Sequence, residues 1–140
     1  MINKGKVRFI GVVEKAGSIS RVKIYPEFQQ GIHKLEAFSH LHLIYWFHLR
    51  DSTNERGVIQ VTPPRHPGAP KVGVFSSRSP SRPNPIGICA VKLIKIDDGV
   101  LYVEGSDALE GSPVVDIKPY IPKGDSIPDA KTPSWMTTCR

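Results

Sequence analysis

The sequence predicts an all-β domain, a barrel or a sandwich. Three observations carry that reading. At least six short runs are apolar or alternate between apolar and polar residues, turn signals separate them, and no stretch holds a long helical period. Residues 7–13 (Val-Arg-Phe-Ile-Gly-Val-Val) predict a first strand. Residues 19–25 (Ile-Ser-Arg-Val-Lys-Ile-Tyr) predict a second, stopped by Pro26. Residues 27–37 are mixed, and Gly31 argues against anything longer than a short helix or turns. Residues 39–49 give the clearest strand. Its odd positions, Leu41, Leu43, Tyr45, Phe47 and Leu49, are expected in the core. Its even positions, His40, His42, Ile44, Trp46 and His48, face a ligand, a partner subunit or solvent.

Residues 51–57 read as a polar loop and 58–61 as a short strand ended by Thr62-Pro63-Pro64. Residues 65–71 are basic and rich in Pro and Gly, which predicts a long mobile loop. A strand is expected over 72–75 and a longer one over 86–96. Asp98-Gly99 then signals a hairpin into residues 100–104, because both residues tolerate positive φ. Residues 107–113 form a loop and 114–120 an extended segment whose Pro119 belongs at an edge or rim. From residue 121 onward an irregular tail is expected, with Trp135 as its anchor.

The most informative stretch is residues 72–88, Val-Gly-Val-Phe-Ser-Ser-Arg-Ser-Pro-Ser-Arg-Pro-Asn-Pro-Ile-Gly-Ile. Pro80, Pro83 and Pro85 each fix their own φ and push the residue before them out of the helical region. The result is a stiffened loop carrying Arg78 and Arg82. Such a loop loses little entropy on binding, and its guanidinium groups suit carboxylates, phosphates and aromatic faces.

At 140 residues the chain fits one domain with a genuine core. A net charge of +6 favours an anionic partner such as RNA. Two cysteines, Cys89 and Cys139, give no disulfide framework and point to a reducing compartment. No signal-type segment or membrane-length apolar run is evident, so a cytoplasmic protein is expected.

His40, His42 and His48 share a strand face, but no carboxylate or cysteine is placed to complete a metal site, and none is expected. Gly-x-Ser-x-Gly elbows and nucleotide-binding glycine loops are absent, and Cys89 reads as a buried apolar residue. Asp116 and Lys118 share one strand face, with Asp107 and Glu110 in the loop before them. They read equally as a pair that orients a polar ligand or moves a proton and as an exposed ion pair. Arg65, His66, Lys71, Arg78 and Arg82, with Tyr45, Trp46 and Tyr120 as stacking candidates, give general support for nucleic-acid binding.

With these residues in view, the chain resembles the TrmO, or TsaA-like, family. The resemblance rests on Leu-Glu-Ala-Phe-Ser-His-Leu at 35–41, Phe47-His48, and Val-Thr-Pro-Pro-Arg at 61–65. It continues through residues 73–87, Gly-Ser-Pro-Val-Val-Asp-Ile-Lys-Pro-Tyr at 111–120, and Ser-Ile-Pro-Asp-Ala at 126–130. It implies a single-sheeted β-barrel with long loops, little helix and a homodimeric state, in one domain over residues 1–140. It also implies S-adenosylmethionine as cofactor and tRNA as substrate, with methylation at N6 of threonylcarbamoyl-adenosine 37. The cofactor contacts it implies are His48, Leu49, Arg78, Ile88, Glu104, Gly105, Ser106 and Asp107. Arg65, Arg82, Asn84, Asp116, Lys118 and Tyr120 match motif positions, and Asp107, Asp116 and Lys118 are the catalytic candidates. The face bearing His40, His42 and Trp46 is the candidate dimer interface. Two departures stand out. Longer members carry a Pro-Arg-Gln insertion between the first two strands, where residues 14–21 here form a direct link, and a C-terminal extension without counterpart here. The missing Pro-Arg-Gln element motivates one alternative, a binding module without catalysis; a methyltransferase for a small molecule or protein is the second.

Overall fold

The computed structural model describes residues 1–136, and Cys139 lies outside the described residues. Eight strands and two single-turn α-helices are present: β1 (Gly11–Lys15), β2 (Ile19–Ile24), β3 (His40–Trp46), α1 (Thr53–Arg56), β4 (Gln60–Val61), β5 (Val72–Gly73), β6 (Ile86–Asp97), β7 (Val100–Glu104), β8 (Pro113–Pro119) and α2 (Pro122–Asp125). Six strands close an antiparallel barrel in the order β1-β2-β7-β6-β3-β8, sealed where β1 pairs with β8. The expectation of an all-β barrel is met. The chain divides into two compact units. Met1–His48 with Ile86–Tyr120 holds the barrel, and Leu49–Pro85 with the described part of Ile121–Arg140 forms the other.

The barrel interior follows from period-two alternation. Leu41, Leu43 and Tyr45 of β3 are buried together with Val13, Val22, Ile24, Val91, Leu101, Val103 and Val114 from the other five strands. The Asp98-Gly99 turn closes β6 onto β7 with φ of 49° and 74°, the left-handed pair that a two-residue hairpin turn of this hand requires.

β7 and β8 are consecutive in sequence but stand opposite each other in the ring, with β6 and β3 between them on one side. Residues 105–112 must therefore cross the mouth of the barrel. Ala108 drops into the core from this crossing, only 3% exposed. Two backbone bonds stitch its end to β1, from Gly111 N to the Val13 carbonyl at 2.8 Å and from Val13 N to the Ser112 carbonyl at 2.9 Å. The crossing covers the end where β3 and β7 finish and β6 and β8 begin.

Several expectations need correction. β1 starts at Gly11, not Val7; Val7 and Phe9 are exposed, and strand pairing begins where Gly11 meets Ile24 and Val114. β3 stops at Trp46, and residues 48–50 turn into a 3-10 helix, so the alternation that placed Leu49 inside fails and Leu49 is 68% exposed. The strand expected at 72–75 lasts two residues before a 3-10 turn at 74–76 buries Val74 and turns Phe75 out to solvent. The polar segment 51–57 contains α1, because Ser52 caps it by accepting a hydrogen bond from Glu55 N at 3.2 Å. Within the loop at 65–71, His66 is buried and its ring packs edge-on against Trp135 at 5.7 Å. Trp135 thus anchors the tail as expected.

Candidate functional site at one end of the barrel

The covered end of the barrel gathers the sequence signals within the first unit. Tyr45 is the last inward residue of β3, with its ring buried and its phenol aimed at the mouth. A buried tyrosine needs a partner for its hydroxyl. Here the hydroxyl donates to Asp107 Oδ1 at 2.7 Å. Asp107 itself is exposed. The bond therefore fixes a solvent-facing carboxylate from a buried anchor.

Three local features hold this arrangement. Phe47 packs edge-on against Tyr45, ring centroids 5.3 Å apart. Gly87, opposite Tyr45 in the β3–β6 ladder, makes room for both rings; a Cβ there would lie 2.6 Å from Phe47 and 2.8 Å from Tyr45. Ser106 Oγ accepts a bond from Ala108 N at 3.1 Å and shapes the crossing around Asp107. Gly105 and Gly111, with φ of 93° and 87°, adopt left-handed conformations that bring bare backbone to the surface on either side of Asp107. His48 Nε2 lies 3.5 Å from where a Cβ of Gly111 would stand.

Below the mouth, Cys89 is buried at the position opposite Leu43. Burial pushes its thiol up to about 11; a hydrogen bond from the Asp107 backbone opposes this, and the negative charge of Asp107 adds to it. The thiol is neutral at physiological pH, in keeping with a small core residue. Ile88, the neighbour of Cys89, points outward, 45% exposed, and stands opposite Ile44 on the outer face of the wall.

Asp116, Lys118 and Tyr120 lie elsewhere. Asp116 stands opposite Ile44 and Lys118 opposite His42, on the outer face of the wall. They form an ion pair of 3.2 Å, both partners about half exposed. Tyr120 packs its ring on His42 and His40, at 5.2 and 6.5 Å. The expected catalytic residues thus fall in two places, Asp107 at the mouth and Asp116 with Lys118 on the outside. Trp46 shares that outer face and packs edge-on against Phe9.

In the second unit, the proline-rich loop is held from within. Arg82 Nη1 donates to the Ser77 and Ser79 carbonyls, both at 3.1 Å. Ser77 Oγ donates to the Val74 carbonyl at 2.7 Å, and Arg56 Nε donates to the Pro83 carbonyl at 2.9 Å. Arg50 donates to Ser81 Oγ at 2.8 Å, and Ser81 donates in turn to Glu55. That bond, aided by Arg50, holds the Glu55 carboxyl below its ordinary value. Arg82 is therefore a staple of its own loop. Arg78, by contrast, is exposed, and no hydrogen bond or ion pair holds it among the described residues. Arg65, Asn84 and Leu49 are exposed as well.

Sequence reasoning missed the Tyr45–Asp107 bond and the Arg50–Ser81–Glu55 chain. The first had a signal: a tyrosine at an inward strand position must find an acceptor. The second joins residues 26 to 31 apart and had none.

The residue types at the mouth suit S-adenosylmethionine. Carboxylates of Glu104 and Asp107 match its positive charge and ribose hydroxyls, and backbone at the left-handed glycines can meet its polar edges. No group of three or more His, Cys, Asp or Glu that could hold a metal ion occurs among the described residues. No helix among them is long and apolar enough to cross a membrane.

Residues 11–126 match the family model of the tRNA-methyltransferase O N-terminal domain. A probable S-adenosyl-L-methionine-binding protein of Methanothermobacter thermautotrophicus is 46% identical over 108 residues, 77% of this chain and 74% of that protein. The tRNA (adenine(37)-N6)-methyltransferase of Mus musculus is 44% identical over 106 residues, 76% of this chain but 24% of that protein. Among solved structures, TrmO from Pseudomonas aeruginosa superposes with a TM-score of 0.70 at 27% identity, over 92% of this chain and 62% of that one. The chain thus spans about three quarters of the archaeal relative, under two thirds of the solved TrmO chain and about a quarter of the mouse enzyme.

Proposed function

The chain belongs to the tRNA-methyltransferase O family, and from that premise we propose that it transfers a methyl group from S-adenosylmethionine to N6 of adenosine 37 of a tRNA. The finer substrate is the threonylcarbamoyl-modified adenosine. The observation that carries the reading is the exposed Asp107 carboxylate, held by the buried Tyr45 between two left-handed glycines at the barrel mouth. The relatives named for S-adenosylmethionine binding and for tRNA adenine methylation support it.

S-adenosylmethionine supplies a methyl group already activated by its sulfonium charge. The protein has then to align the reacting groups and exclude water. Glu104 at the end of β7, Gly105, Ser106 and Asp107 of the crossing, His48, and Ile88 on the outer wall are the cofactor residues of the first unit. Leu49 and Arg78 are those of the second. Asp107 orients the attacking amino group or takes its proton. Its hydrogen bond from Tyr45 keeps the carboxylate in one rotamer, so little order must be imposed when the ligand arrives. Arg65 and Asn84 serve the RNA. Arg82 shapes the loop that carries Arg78, and Tyr120, packed on His42 and His40, belongs to the seam of the dimer. The protein acts in the cytoplasm as a homodimer joined through the face of His40, His42 and Trp46; a monomeric mass by sedimentation at micromolar concentration would remove the dimer.

The test is transfer of labelled methyl from S-adenosylmethionine to tRNA, with and without the threonylcarbamoyl group, followed by nucleoside analysis. Label in N6-methylated adenosine, dependent on the prior modification, is expected. Label that persists after the tRNA pool is destroyed by RNase would overturn it. A second reading, binding without transfer, is favoured by the archaeal relative, which is covered far more fully and is named for binding alone. Saturable cofactor binding with no transfer to any tRNA would establish it.

A further inference from the structure

The outer face of β1, β2, β7 and β6 carries a row of cations that the proposed cofactor site does not use. Lys15 stands opposite Arg21, Arg21 opposite Tyr102, and Tyr102 opposite Lys95. The row crosses four strands, about 14 Å at the usual strand spacing. Lys95 Nζ lies over the Tyr102 ring, 4.6 Å from its centroid. Lys15, Arg21 and Lys95 are exposed. None has a carboxylate within ion-pair distance among the described residues. Two more lysines sit one rung away, Lys23 opposite Val100 and Lys92 opposite Glu104. Glu104, opposite Lys92, and Asp97, opposite Val100, are the carboxylates on those flanking rungs. Like charges set directly opposite each other on a sheet destabilise it, so the Lys15–Arg21 pair works against folding. A feature that opposes folding and gathers unneutralised cations around a ring calls for an anion supplied from outside.

The position of the row says which anion. Glu104 begins the crossing that bears Asp107, and it is two residues, about 7 Å, from Tyr102 along β7. The row therefore starts one rung from the rim where the substrate base must enter. We propose that Lys15, Arg21 and Lys95, arrayed about Tyr102, hold the phosphate backbone of the RNA flanking the nucleotide under modification. This rests on the tRNA reading above and adds to it a surface. The partner is a single-stranded RNA loop: its phosphates follow the cations, and the Tyr102 ring beneath Lys95 holds that ammonium in place to meet one of them.

The test compares wild type, the double variant Arg21→Gln/Lys95→Gln, and a control of equal charge, Lys123→Gln/Lys131→Gln. Binding of a tRNA transcript is followed by fluorescence anisotropy from 50 to 200 mM salt, and S-adenosylmethionine binding by calorimetry. Losing two phosphate contacts flattens the slope of log K against log salt by about 1.4, so the gap from wild type closes about 7-fold over that range. Cofactor binding is unchanged, and the control keeps the wild-type slope. Arg21→Gln alone keeps or raises the melting midpoint, whereas a residue retained for folding would lower it. A wild-type slope in the Arg21/Lys95 variant, or an equal loss in the control, overturns the inference while leaving the tRNA reading intact. Failure of the wild-type protein to bind tRNA removes both.

Discussion

Replacing Gly87 by alanine tests the packing that positions Asp107. The added Cβ would stand 2.6 Å from the tip of the Phe47 ring and 2.8 Å from that of Tyr45. Relief to an ordinary contact of 3.4 Å needs movements of about 0.8 and about 0.6 Å in two interlocked rings. Tyr45 is 5% exposed and tied to Asp107 at 2.7 Å, so its displacement also strains that hydrogen bond. Overpacking of this kind costs about 1–3 kcal/mol. For a chain of this size that lowers the melting midpoint by about 3–12 °C. The bond to Asp107 is fixed by the same rings, so S-adenosylmethionine affinity should fall with stability, and it should fall even at temperatures where the variant is fully folded. Scanning calorimetry and isothermal titration of the cofactor measure the two effects. A Gly87→Ala protein that melts within a degree of wild type and binds the cofactor equally well would refute the reasoning.

Tyr45→Phe keeps the ring and removes the bond; a hydrogen bond to an exposed carboxylate predicts a loss of about 1 kcal/mol, or about fivefold in cofactor affinity. In an Asp107→Asn background the same change should have much less effect, and a double-mutant cycle by titration calorimetry would show additive losses if the two residues do not act together. Cys89, with its thiol near 11 against an ordinary 9.0, should react about 100-fold more slowly at pH 8 than a free thiol from thiolate fraction alone. Thiol labelling of a Cys139→Ser variant, before and after denaturation, checks this. Glu55 has its folded carboxyl below the ordinary 4.5, chiefly through the Ser81 hydrogen bond, so it stabilises the fold above that pH and stops doing so as pH falls through the lowered value. Thermal melts of wild type and Glu55→Gln should differ at neutral pH and converge in strong acid; a gap that persists in acid would argue against the carboxylate.

The strands that alternate were legible in the sequence because one barrel face is buried and the other is wet. The reading of β3 worked for Leu41, Leu43 and Tyr45 for that reason, and failed at Leu49 because a periodicity does not announce where its strand ends. The Asp98-Gly99 hairpin was legible because few residues accept left-handed φ twice in succession. Closure of the sheet was not legible from periodicity, since pairing of β1 with β8 joins residues about a hundred positions apart. The crossing at 105–112 read only as a loop. Its importance comes from the ring order, which sets β7 and β8 on opposite sides and sends the connection over the mouth. The residue types of the proline-rich loop gave its two arginines one reading, and only the resemblance separated Arg78 as a cofactor contact from Arg82 as a motif position. Arg82 is spent on the Ser77 and Ser79 carbonyls, while Arg78 faces solvent, a distinction that only the local path of the backbone could make.

The most direct measurement is a crystal structure of the protein with S-adenosylhomocysteine bound. The ligand should rest on the crossing, with polar contacts to Asp107 and the backbone around Gly105. Density for it on the outer face by Asp116 and Lys118, with the Tyr45–Asp107 mouth empty, would contradict the account.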